Sequence, residues 1–178
     1  MLKPDTWIWA LVVAATAGVV VLAVRQGDGS KARLAQAPGR TAPSVTLPLL
    51  EGGKSSISQG KVTVVDFWAT WCAPCRASMP RVQQLWKEYH PRGVELYSVD
   101  TDDAGPDRVP QVQEFLLQNR LDFPVVLDDG SASQAFSVSS LPTMMLLDKQ
   151  GQVVWSHVGA LSASREKDLR LAMDQALR

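Results

Sequence analysis

Only two cysteines occur in this chain, Cys72 and Cys75, and they stand in Trp71-Cys72-Ala73-Pro74-Cys75 with two residues between them. That is the spacing of a reversible disulfide pair, and no other thiol remains for structural staples. An inert disulfide is the weaker reading, because so small a ring removes little chain entropy. Half of a metal site is weaker too. Zinc would want four ligands, and the only histidines, His90 and His157, are far apart and lack ligand spacing. The chemistry best matched to the pair is thiol-disulfide exchange.

Such chemistry needs one sulfur presented as a thiolate and the other kept within reach. Val62-Thr63-Val64-Val65-Asp66-Phe67-Trp68 is a β-branched and aromatic run that reads as a buried strand. Beyond the cysteines, Met79, Val82, Leu85, Trp86 and Tyr89 recur at helical spacing. Cys72 therefore falls at a strand-to-helix junction, where free backbone N–H groups and the helix dipole favour an anion. It is the expected attacking thiol. Cys75, one turn further in and expected to be covered, would resolve the mixed disulfide by attacking Cys72. Pro74 suits a first turn, whereas Pro80 falls inside the helix, where a kink near Met79 is expected.

Asp66-Phe67-Trp68-Ala69-Thr70-Trp71-Cys72-Ala73-Pro74-Cys75-Arg76, followed by Met79-Pro80, resembles the active-site segment of the thioredoxin superfamily. Within it the chain is similar to the membrane-anchored TlpA/ResA-like thiol-disulfide oxidoreductases of bacteria. Leu141-Pro142-Thr143, opening an apolar run to Asp148, matches the family's cis-proline loop. The resemblance covers about residues 41–178. It implies an α/β, three-layer thioredoxin-like fold with a central mixed sheet and a helix-strand insertion. It also implies that Pro142 sits against the cysteines and that the Leu141 backbone binds an extended substrate chain, with Trp71, Pro74 and Thr143 at the same surface. No cofactor is implied. The implied partners are a disulfide-bearing protein and a membrane-bound thiol donor.

Asp66 is unusual inside a strand, and its apolar neighbours Val64, Val65, Phe67 and Trp68 should raise its pKa. By resemblance it is the buried acid that takes the proton of Cys75 during resolution. The lysine that thioredoxins place on the neighbouring strand is missing, since Leu96 occupies its expected position in Val94–Asp100.

Of the 178 residues, 18 are Lys or Arg and 18 are Asp or Glu, so nothing points to nucleic acid. From Trp7 to Val24 the chain carries no charge and only Thr16 is polar, which is long enough to span a membrane. Ala35-Gln36-Ala37 has the form of a cleavage site but lies too far beyond the apolar run, so residues 1–25 are expected to stay as an N-terminal transmembrane anchor. Residues 26–40 read as a flexible linker and residues 41–178 as one domain. Lys3 and the amino terminus face Arg25, Lys31 and Arg33 across the span, a balance that by itself places the domain inside. The resemblance places it on the extracytoplasmic, periplasmic side of the cytoplasmic membrane, and that expectation is adopted.

Within the domain, Glu51-Gly52-Gly53-Lys54 reads as a hairpin turn. The loop with Asp102, Asp103 and Gly105 reads as a solvated turn rather than a cation site, and a helix carrying Val112, Phe115 and Leu116 and a strand Phe123–Leu127 should follow it. Val153–Val158 and a last helix with Leu169, Met173, Ala176 and Leu177 close the chain. His157 is expected at the surface or a strand edge. The function expected is a membrane-tethered reductant of protein disulfides, of the kind that serves cytochrome c maturation or copper-site assembly. Oxidation of folding substrates is the alternative of opposite direction. A thiol peroxidase would need Pro and Thr or Ser where Val65 and Ala69 stand, and a metal-handling protein would need Met144 and Met145 as ligands, although they lie in an apolar strand.

Overall fold

The computed structural model describes residues 39–57 and 60–178. The anchor expected at 1–25 and nearly all of the linker expected at 26–40 lie outside the described residues. Among the described residues no helix is long and apolar enough to cross a membrane.

The centre of the molecule is β3 (Val62–Trp68), in which every residue is buried. A strand covered on both faces needs neighbours on both edges, and it has them. On one side β4 (Val94–Asp100) and then β5 (Val125–Leu127) run parallel to it; on the other, β6 (Thr143–Leu147) and β7 (Val153–Val158) are antiparallel. The sheet is thus mixed, in the order β5-β4-β3-β6-β7. A separate hairpin, β1 (Thr46–Pro48) with β2 (Lys54–Ser56), is closed by the turn at Glu51–Lys54 as the sequence suggests. Gly52 and Gly53 take φ of 96° and 83° there, a region that side chains with a Cβ disfavour.

Period-two alternation along β3 divides the core. Val62, Val64 and Trp68 pack with Met79, Val82 and Leu85 of α1 (Ala73–Tyr89), with Val112 and Phe115 of α2 (Arg108–Asn119), and with Leu169 and Met173 of α4 (Ala163–Ala176). Val65 and Phe67 face the other way, towards Leu47 of the hairpin and towards Ala132 and Phe136 at α3 (Ser131–Ala135). Helices, sheet, and hairpin with α3 form three layers. Each fully buried Leu, Val, Phe or Met in them contributes about 1.5–3 kcal/mol.

The inserted helix and strand expected after β4 are α2 and β5, and β5 supplies the edge of the sheet. Pro80 leaves α1 a single helix from Ala73 to Tyr89; its ring is on the exposed side. Met144 and Met145 are both buried, one in each half of the core, so they pack rather than form a soft ligand pair.

Candidate active site

Strand β3 delivers the chain to Ala69, and the next three residues turn it into α1. Cys72 is the N-cap, with extended backbone (φ −77°, ψ 100°), and its Sγ accepts from the Cys75 N–H at 3.3 Å. Pro74 fits the first turn, where no N–H is required. Cys72 and Cys75 are joined in a disulfide, with their Cα atoms 5.2 Å apart. A thiolate at Cys72 would meet the same N–H and the positive end of a long helix.

The two sulfur-bearing residues face different spaces. Cys72, 4% exposed, lines an open groove of about 450 Å³ together with Trp71, Pro74, Thr101, Ser140 and Leu141. Trp71 is 67% exposed at its rim. Cys75, 1% exposed, lines a separate, largely enclosed cavity with Asp66, Ser78, Pro142, Met144 and His157. The Leu141–Pro142 peptide bond is cis, and it divides the two spaces: Leu141 belongs to the groove and Pro142 to the cavity. Thr143, expected at the substrate surface, is fully buried, and its hydroxyl donates to the Ser140 carbonyl at 2.6 Å. It shapes the loop and does not line the groove, because the residue after Pro142 already points into the sheet.

Asp66 is 2% exposed and its carboxyl has no hydrogen-bond partner among the described residues. It opens onto the inner cavity. Burial alone raises its pKa from 3.8 to about 7. Among the described residues no cation counters this: Leu96 is buried, and Ser98, directly opposite Asp66 in the parallel ladder, accepts from the Trp68 indole N–H at 2.7 Å.

Sequence reasoning missed the group that holds the turn before Cys72. Asp102 is 5% exposed, not solvated; its carboxylate accepts from the Thr70 N–H at 3.1 Å and the Thr70 hydroxyl at 3.0 Å. Gln111 of α2 donates to the same hydroxyl at 2.6 Å. Behind Asp102, its own N–H donates to Asp100, which is paired with Arg108 at 2.7 Å. Burial and the neighbouring Asp102 push the Asp100 carboxyl up, with Arg108 acting against both. Arg108 also donates to the Asp128 carbonyl, and the Asp128 carboxylate accepts from Ala132 and Ser133 at the start of α3. One network thus ties the cysteine turn, the inserted helix and the opposite layer. The only sequence signal is the position of Asp100 at the end of a buried strand and of Asp102 just beyond it.

His157 was placed at a strand edge, and β7 is the edge of the sheet. Its ring is nevertheless half-buried against the inner cavity, because the pairing Asp66↔Met144↔His157 sets all three on one face.

Comparison with known proteins agrees with this geometry. The AhpC/TSA family model matches residues 38–156. The thiol-disulfide oxidoreductase ResA of Bacillus cereus is 37% identical over 124 residues, covering 68% of this chain and 69% of that protein. The thioredoxin-like protein YneN of Bacillus subtilis is 34% identical over 147 residues, covering 82% and 85%. Among solved structures, a putative thiol:disulfide interchange protein DsbE from Chlorobium tepidum superposes with a TM-score of 0.71 at 31% identity, covering 80% of this chain and 99% of that one. With the cysteine pair capping a helix opposite a cis-proline, the chain belongs to the thioredoxin-like AhpC/TSA family, among its ResA-type thiol-disulfide oxidoreductases.

Proposed function

We propose that this protein is a membrane-tethered reductant of protein disulfides on the extracytoplasmic side of the cytoplasmic membrane. The observation that carries the chemical part is the separation of the two sulfurs, with Cys72 on an open groove and Cys75 on a largely enclosed cavity beside a buried acid. In this reading the Cys72 thiolate attacks a substrate sulfur and the first substrate thiolate leaves. Cys75 then gives its proton to Asp66 and its thiolate attacks Cys72 Sγ. The bond between Cys72 and the substrate breaks, the second substrate thiolate takes a proton from solvent, and the Cys72–Cys75 disulfide remains.

Trp71, Pro74 and the Leu141 backbone form the walls against which an extended substrate chain lies. Pro142 keeps that chain apart from Cys75. A membrane-bound thiol donor restores the dithiol. The tether is the apolar run Trp7–Val24; the similarity to a thiol-disulfide oxidoreductase and a thiol:disulfide interchange protein supports the exchange chemistry, and the role proposed for it is cytochrome c maturation or copper-site assembly.

Direction is tested by the equilibrium potential of the Cys72/Cys75 pair in the full chain against glutathione. A value of roughly −270 mV, with turnover of insulin disulfides, is expected of a reductant; one near roughly −120 mV would make it an oxidant of folding substrates. Protease access to the domain in spheroplasts tests the side. Protection until the membrane is opened would contradict the placement.

A further inference from the structure

Resolution leaves a proton on Asp66 in the oxidised form, the one in which Cys72 and Cys75 are joined. Asp66 is 2% exposed and has no hydrogen-bond partner among the described residues through which to pass it. What lies against it is the inner cavity, with about 10 Å³ of free space, at the lower bound for a single water.

Among the residues lining that cavity the ionisable ones are Asp66, Cys75 when reduced, and His157. Among the described residues no other element brings a free charge to it. Strand β6 carries no titratable side chain, Arg81 of α1 pairs with Glu166 of α4, and Arg170 pairs with Glu88 and Glu166. His157, half-buried, lines the cavity and stands on the edge strand β7, where its Nε2 makes an exposed contact. Its Nε2 lies 3.2 Å from the Ala160 carbonyl, which only accepts; Nε2 therefore carries the hydrogen and Nδ1 is left as a proton acceptor.

We propose that His157 is the outlet of the active-site proton, receiving it from Asp66 through one water in the cavity and releasing it to solvent. The inference rests on the reading of Asp66 as the acceptor for Cys75. The proton that leaves Cys75 ends in solvent, matching the one the departing substrate thiolate takes up, and no further reactant is needed. His157 acts through Asp66 and touches neither sulfur's reaction partner; it is a positioning and relay residue.

The test follows, between pH 6 and 9, resolution of a peptide mixed disulfide by stopped-flow tryptophan fluorescence and release of the proton to solvent by a pH-indicator dye in weak buffer. It compares the full chain with Asp66→Asn, His157→Gln and His157→Ala. His157→Gln is expected to slow proton release by about 100-fold and to change its pH profile, with the rates of Cys72 attack and of resolution and the equilibrium potential unchanged. Added imidazole should restore His157→Ala. If Asp66→Asn resolves slowly but His157→Gln releases the proton at the parent rate and with the parent profile, the outlet is refuted and the acceptor reading stands. If Asp66→Asn resolves at the parent rate, the acceptor reading fails and the outlet with it. Slowing of both attack and resolution without imidazole rescue would give His157 a purely structural role and overturn the inference.

Discussion

Replacing Asp66 with Asn should make the oxidised protein more stable, and increasingly so as the pH rises. Burial moves the pKa of Asp66 from 3.8 to about 7, so folding favours the neutral acid. Its favourable share is complete below the unfolded value near 3.8 and is lost as pH climbs through about 7. At about 1.36 kcal/mol per pH unit, the ionised carboxylate costs the fold about 4 kcal/mol at pH 8. Asn has nearly the same shape and does not titrate. Urea unfolding of both proteins, with the disulfide intact, should give curves that diverge from pH 4 to about pH 7 and run parallel above it. Groups that titrate alike in both proteins cancel in the difference. Curves that stay parallel over the whole range would mean that the carboxyl is hydrated, and the argument from its burial would be refuted.

Two further substitutions probe the network behind the cysteine turn. Arg108→Met leaves the buried Asp100 carboxyl without its 2.7 Å partner and the Asp100 and Asp128 carbonyls without the guanidinium as donor, and should cost about 1–3 kcal/mol in urea unfolding at pH 7, where the carboxyl is then neutral; a change within error would mean that the pair contributes nothing at this site. Asp102→Ala strips the Thr70 N–H and hydroxyl of their carboxylate acceptor and should cost about 1–3 kcal/mol. It should also slow attack by Cys72, read as the rate of reaction with a disulfide dye, and an unchanged rate would show that the turn holds itself.

Much of this fold can be read from residue patterns because its signals are local. A strand buried on both faces has to look like Val62–Trp68, and the apolar spacing of Met79, Val82, Leu85 and Tyr89 admits one helix face. The turn glycines and Pro142 announce themselves in the same way. Asp102, Arg108 and His157 do not. A charged residue after a strand or at a helix start usually lies in water. Asp102 is buried only because Thr70, over thirty positions earlier, is brought against it by the parallel pairing of β3 and β4. His157 reaches the cavity through two antiparallel registers, Asp66↔Met144 and Met144↔His157, each of which a shift of one residue would reverse. Thr143 was misjudged for a related reason: alternation along β6 turns it inward one residue past the loop.

The division of labour between the two cysteines is the central claim, and trapping tests it most directly. Cys72→Ser and Cys75→Ser full-length proteins would each be reduced, mixed with a disulfide-bearing protein, quenched with acid and mapped by mass spectrometry. Cys75→Ser should accumulate a mixed disulfide on Cys72, because the groove admits a substrate to that sulfur and the resolving thiol is gone. Cys72→Ser should hold almost none, since Cys75 is 1% exposed. Equal or greater trapping on Cys75 would contradict the account.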